Sequence, residues 1–124
     1  MPCRVFIADD VEALRMLWRE FLEEDPDIEV VGEAADGEAA LEGMRATQPD
    51  VLVLDLSMPK VDGLEVIRTL QLELPEIRIV VASGFTAARL APLALELGAT
   101  AYLEKGMTAE ELREAVRAAY ETVR

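Results

Sequence analysis

Asp9, Asp10 and Asp55 each stand just past a short apolar run, in VFIADD and DVLVLD. Ser83 follows another such run (IVVAS) and Lys105 a fourth (AYLEK). Short continuous apolar runs mark strands covered on both faces, as in a parallel α/β sheet. In such a sheet the loops after the strands open on one edge, where ligands bind. Five polar groups far apart in sequence are therefore expected at one spot: three carboxylates, a hydroxyl and an ammonium. Together they suit a divalent cation and a phosphoryl group.

Carboxylates held close together repel, and a hard cation relieves the repulsion. Mg2+ takes oxygen ligands and commonly binds through one or two carboxylates plus a phosphate oxygen. Asp55 ends the most apolar run of the chain. A carboxylate there can act as a nucleophile and become an aspartyl phosphate. Phosphoryl transfer asks a protein mainly for positioning and charge neutralisation. The cation and Lys105 would neutralise the phosphoryl oxygens, and Ser83 could donate a hydrogen bond to one. Backbone N–H groups near Leu56, Ser57 and Gly84 could donate others, with Gly84 allowing close approach. The Asp9–Asp10 pair has a second reading, as a cap for the segment that follows. Neighbouring strand residues also point to opposite faces, so the chain must turn for both to reach one cavity.

Strand and helix patterns alternate along the chain. Strands are expected over residues 4–8, 28–34, 51–54, 77–82 and 101–104. A helix is expected over 11–24. Asp36 caps a second that runs to about Gln48, and Asp62 with Glu65 opens a third that runs to about Leu74. A weaker helix lies over 87–97, closed by Gly98. Pro92 sits inside it, and proline is comfortable only in a first turn, so this helix is expected to begin near Ala91 or to be irregular before it. Thr108 and Glu111 form a capping box for the last helix, whose apolar stripe is Leu112, Ala115, Val116, Ala119, Tyr120 and Val123. Five βα units with short right-handed crossovers give a doubly wound, three-layer α/β sandwich. Residues 1–124 read as a single domain.

The chain has 124 residues, enough for a real core. It is 52% hydrophobic and only 5% aromatic, so that core is mostly aliphatic. The net charge is −13 and there is no histidine. Phosphate backbones repel so acidic a surface, so the segment is not expected to bind nucleic acid by itself. Cys3 is the only cysteine, which excludes an internal disulfide and a zinc cluster. The N-terminus lacks the pattern of a signal peptide, and no apolar run approaches the ~20 residues of a membrane span. A soluble cytoplasmic protein is the expectation.

IADD at Asp9 and Asp10, LDLSMPKVDG from Leu54 to Gly63, VVASGF around Ser83 and AYLEKG around Lys105 resemble the receiver domain of bacterial two-component response regulators. The resemblance covers essentially the whole chain. It implies a flavodoxin-like fold with five parallel strands in the order 2-1-3-4-5 and five helices. It also implies roles. Asp55 is the phosphoacceptor. Asp9, Asp10 and Asp55 hold Mg2+ with the backbone carbonyl of Ser57. Lys105 contacts the phosphoryl group, Ser83 moves toward it, and Tyr102 repacks with Ser83. The phosphodonor is a phosphohistidine on a sensor histidine kinase or phosphotransfer protein. The absence of histidine fits a chain that receives the group rather than generating it, and the resemblance implies a signalling domain that assists its own phosphorylation and dephosphorylation, not an enzyme. Gly106 stands where many relatives have a cis proline, and Ser57 stands where the family varies widely and tunes phosphoryl lifetime. GATAYLEKGMTAEELREAV is most similar to receivers fused to a C-terminal helix-turn-helix domain, which implies transcription regulation.

A phosphoryl group adds about −1.5 to −2 charge and three acceptor oxygens, and a switch needs an element with two arrangements of similar energy. The fourth helix, weakly capped and interrupted by Pro92, is the candidate. The face made by the fourth helix, the Tyr102 strand and the last helix is the expected output surface and a route to a homodimer. In the first helix Leu17, Phe21, Leu14, Trp18, Val11 and Leu22 span roughly 140°, wider than the usual ~100° core stripe. The excess marks Val11, Leu14 or Leu17 for contact with a partner, while Met16 is expected to be exposed.

Two rival readings share some of these residues. A haloacid-dehalogenase-like phosphatase also uses an Asp nucleophile, Mg2+ and Lys. Its nucleophile usually lies in a D-x-D motif after the first strand, whereas here it follows the third and reads DLS, with no inserted cap. A flavodoxin-like flavin carrier would favour hydroxyls and backbone donors over three clustered carboxylates.

Overall fold

All five strands run parallel in the computed structural model, which describes residues 2–122. Along the chain the elements are β1 (Cys3–Ala8), α1 (Glu12–Glu23), β2 (Ile28–Ala34), α2 (Gly37–Thr47), β3 (Val51–Leu54), α3 (Gly63–Glu73), β4 (Arg78–Ser83), α4 (Ala87–Leu97), β5 (Ala101–Glu104) and α5 (Ala109–Glu121). Their order in the sheet is β2-β1-β3-β4-β5. This is the doubly wound arrangement expected from the alternating pattern, in the flavodoxin-like strand order that the family resemblance implies.

The alternation of side chains along β1 and β3 divides the interior in two. Phe6, Ala8, Leu52 and Leu54 pack on the side of α2, α3 and α4. Val5, Ile7, Val51 and Val53 pack on the other side, with Trp18 and Leu22 of α1 and Leu112, Val116 and Ala119 of α5. β3 lies at the centre and every residue of it is buried. Burying one such aliphatic side chain is worth about 1.5–3 kcal/mol, so the sheet centre is the rigid base of the site. Between Val5 and Phe6 the β1–β2 register slips by one residue, which leaves Val31 unpaired and Ala34 opposite Ala8. No helix among the described residues is long and apolar enough to cross a membrane.

Asp36 and Asp62 cap α2 and α3, accepting from the Ala39 and Glu65 amides at 2.8 Å and 3.0 Å. The capping box of α5 is complete. The Glu111 amide donates to Thr108 Oγ1 at 3.1 Å, and the Thr108 amide donates to Glu111 Oε1 at 2.8 Å. Thr108→Ala should therefore cost about 1 kcal/mol. Urea denaturation measures it, and unchanged stability would show the cap to be idle. The stripe of α5 is buried as expected at Leu112, Val116 and Ala119, while Val123 lies outside the described residues.

The fourth helix departs from expectation. α4 is continuous from Ala87, so Pro92 is its sixth residue rather than part of its first turn. Proline has no N–H for the carbonyl of Ala88. Ala88 and Pro92 are both exposed, which leaves that carbonyl on the solvent side. Thr86 makes no side-chain cap, and a residue from β5 stands in: the Ala87 amide donates to Glu104 Oε2 at 3.2 Å. Val11, the N-cap of α1, is exposed, as are Met16 and Leu17 within the helix, while Leu14 packs partly against the core.

Candidate functional site

The ends of β1 and β3 lie level, with Ala8 paired to Leu54. The next residues are Asp9 and Asp55. The Asp55 amide donates to the Ala8 carbonyl at 2.9 Å, and the Asp9 amide donates to the Ala34 carbonyl at 3.1 Å. On the other flank the Lys105 amide donates to the Ser83 carbonyl at 2.7 Å. Backbone pairing thus fixes three of the side chains to one rim of the sheet. Asp9, Asp55 and Ser83 are also the buried polar residues among those described. Charged groups are rarely buried without a task or a partner.

Carboxylate oxygens of Asp9, Asp10 and Asp55 lie within 4.8 Å of one another. Asp10 is exposed and the other two are buried. The Lys105 ammonium lies 2.9 Å from Asp9 Oδ2 and 3.4 Å from Asp55 Oδ1. Asp9 Oδ1 accepts the Val11 amide at 2.7 Å. That bond closes a turn two residues long ahead of α1 and is not a helix cap, since Val11 is the N-cap residue and no side chain caps the helix, so the capping reading of the Asp pair is not met; the other Asp9 oxygen faces the cluster. Asp9 Oδ2 and both Asp55 oxygens are buried with no hydrogen-bond donor aligned on them, although Lys105 supplies charge nearby. Hard oxygen ligands left in this state suit a hard divalent cation.

The electrostatics follow from this crowding. Burial, and then the charge of Asp9, push the Asp55 carboxyl above its ordinary value, against the pull of Lys105 and the Ser57 amide. Burial works against the charged form of Lys105, but contact with Asp9 and the charges of Asp55 and Asp9 outweigh it, and its pKa is raised. Lys105 is therefore a firm cation beside a carboxylate that is costly to ionise.

Ser83 reaches the rim through its backbone, while its hydroxyl oxygen accepts the Phe85 amide at 3.1 Å. Tyr102 stands apart from the carboxylates, its hydroxyl donating to the Phe85 carbonyl at 2.9 Å. Ser83 and Tyr102 thus hold the two ends of one residue, Phe85, in the loop that leads into α4. Ser57 is exposed on the loop after β3. Two residues near the cluster went unread in the sequence. The Trp18 ring, counted only as core, has the Lys105 ammonium 5.9 Å from its centroid. Arg15 donates to the Asp9 carbonyl at 2.8 Å. No spacing rule points to either, because both contacts depend on where α1 crosses the rim.

The comparisons with known proteins agree with this geometry. The model of the response regulator receiver domain matches residues 5–117. The transcriptional regulatory protein LiaR of Bacillus subtilis is 40% identical over 116 residues, 94% of this chain and 55% of its own length. A protein-glutamate methylesterase/protein-glutamine glutaminase of Thiobacillus denitrificans is 42% identical over 107 residues, which cover 85% of this chain and 30% of that protein. The solved signal receiver domain of the putative response regulator NarL from Mycobacterium tuberculosis superposes with a TM-score of 0.92 at 35% identity, covering 98% of both chains. The chain spans little more than half the length of the curated regulators it matches, 55% of LiaR and 58% of the response regulator VraR of Staphylococcus epidermidis. These matches set aside the phosphatase reading. The strand order, the acidic rim and the family match over residues 5–117 lead to one assignment: the chain belongs to the response regulator receiver family, the phosphoacceptor signalling domains of two-component systems.

Proposed function

We propose that Asp55 is the acceptor and that Asp9, Asp10, Lys105 and Ser83 serve the transfer. One observation carries this reading: a carboxylate buried at the sheet rim, with no donor well aligned on either oxygen and an ammonium 3.4 Å away. An Asp55 oxygen bonds to phosphorus as the P–N bond of a phosphohistidine breaks. The imidazole leaves with the bonding pair and takes up a proton. The carboxylates of Asp9, Asp10 and Asp55, with the Ser57 carbonyl, would hold Mg2+, which supplies positive charge for the phosphoryl oxygens. Lys105 trades its contact with the carboxylates for one with the phosphoryl group. The Ser83 hydroxyl, so far only an acceptor from Phe85, donates to another phosphoryl oxygen. Phe85 then loses one of its two holds, which passes the change to the start of α4 and to Tyr102.

The output surface is the α4–β5–α5 face; Phe85, just before α4, and Leu93 and Leu95, on opposite flanks of α4, are exposed. A DNA-binding domain, a separate protein or a second copy of the chain would read it. A sensor histidine kinase or phosphotransfer protein would dock at Val11 and Leu17. A cytoplasmic setting goes with these partners. The test uses a small donor with a P–N bond. Incubation with Mg2+ and phosphoramidate should add one phosphoryl mass to the parent protein and none in EDTA or in Asp55→Asn. An adduct that persists in Asp55→Asn would remove Asp55 from the role.

A further inference from the structure

The geometry points to Arg15 as a positioning residue that holds the turned Asp9–Asp10 peptide, so that two adjacent carboxylates reach one metal site. This rests on the metal-binding role proposed above for Asp9 and Asp10. The difficulty lies in the backbone: neighbouring side chains of an extended strand point to opposite faces. For Asp10 to join Asp9 and Asp55 within 4.8 Å, the peptide between Asp9 and Asp10 must be rotated out of strand geometry and kept there. The carbonyl of that peptide is the one Arg15 binds, at 2.8 Å from Nη1.

Every other polar group of Asp9 except Oδ2 is also tied. Its amide donates to the Ala34 carbonyl at 3.1 Å, and Oδ1 accepts the Val11 amide at 2.7 Å. Arg15 is itself held on its other edge, with Nε 3.1 Å from Glu33 Oε1 on β2. Its side chain is only 15% exposed. A rigid guanidinium that uses two different edges for two acceptors fixes a direction, which a lysine ammonium does not. Glu33 also takes Arg19 at 2.7 Å. Arg19 does not reach the Asp9 carbonyl and so provides a control.

Positioning and plain charge make opposite forecasts. As a charge alone, Arg15 repels a cation, so its removal would tighten Mg2+ binding. As a positioning residue, its removal loosens binding. Partners that orient ligands typically change metal affinity by about 10–100-fold when lost.

The measurement is Mg2+ titration of the unphosphorylated protein by calorimetry, with the Asp9–Val11 amide signals followed by NMR. Arg15→Lys and Arg15→Met should both weaken binding by about tenfold, while Arg19→Met stays near the parent. The double variant Asp10→Asn/Arg15→Met should bind no more weakly than Asp10→Asn alone, because the same ligand is lost. Glu33→Gln, away from the carboxylates, gives a milder version should Arg15→Met fold poorly. Binding that is unchanged or tighter in Arg15→Met, with the parent binding normally, would overturn the inference alone. A parent that binds no Mg2+ would overturn the metal reading and the inference with it.

Discussion

Asp55→Asn is expected to stabilise the metal-free protein while it abolishes phosphoryl acceptance. In the parent, Asp55 is 1% exposed and neither carboxylate oxygen has an aligned donor. Burial and the neighbouring Asp9 charge both oppose its ionisation. An asparagine removes the charge and brings an amide donor to the neighbourhood of Asp9 Oδ2, itself without one. Relief of a buried, under-satisfied polar group is worth about 1–3 kcal/mol. That should raise Tm by several degrees in EDTA.

The pH dependence has a definite sign. Because the folded Asp55 holds its proton above the ordinary 3.8, the folded state binds more protons than the unfolded state in the window above that value. Stability therefore falls as pH rises through the window, and the penalty is complete above the folded pKa. Asp25 and Glu111 are shifted downward, so their contributions are lost as pH falls. They act equally in both proteins. The difference in stability between parent and Asp55→Asn, measured by urea denaturation against pH in EDTA, isolates Asp55. It should grow with rising pH, and Mg2+ should shrink it. An Asp55→Asn protein less stable than the parent in EDTA would contradict this picture of the site.

Gly63→Ala is expected to damage fold and site together. Gly63 is the first residue of α3 and presses on the chain just after the acceptor. A Cβ there would lie 2.4 Å from Leu56 Cα and 2.7 Å from the Asp55 carbonyl oxygen. Both are backbone atoms and cannot swing aside. Overpacking of this kind costs about 3 kcal/mol, and relaxation would move Asp55. Displacement of about 1 Å at a reacting group can cost 10²-fold in rate. The matched control is Gly84, on the same rim, where a Cβ meets nothing within 4 Å. Denaturation of both variants, with phosphorylation timed in Gly63→Ala, should show loss of stability and rate for Gly63 and little stability change for Gly84→Ala. Equal stability of the two would mean the packing at Gly63 is slack.

Much of this was legible in the sequence because the sheet is parallel and buried. An unbroken run such as VLVL can only be covered on both faces, and the residue after it must emerge at the rim. That logic located Asp9, Asp55, Ser83 and Lys105 without any distance information. Local hydrogen bonds were legible too, since the Asp36, Asp62 and Thr108 caps act within a few residues. What failed to show depends on contacts made across elements. Pro92 argued against a continuous α4, yet exposure of Ala88 lets the helix pass through it. The cap of α4 comes from Glu104, far along the chain. Arg15 looked like any polar-face residue of α1. Only the angle at which α1 leaves the rim brings its guanidinium over the Asp9 carbonyl.

In the phosphorylated protein the phosphoryl group should sit on the side chain of Asp55. Reduction with borohydride followed by peptide mass spectrometry locates it, since an acyl phosphate is reduced to the alcohol. A single homoserine at position 55 is the expected result. Reduction at Asp9 or Asp10 instead, or a borohydride-resistant phosphate found on Ser83, would contradict it.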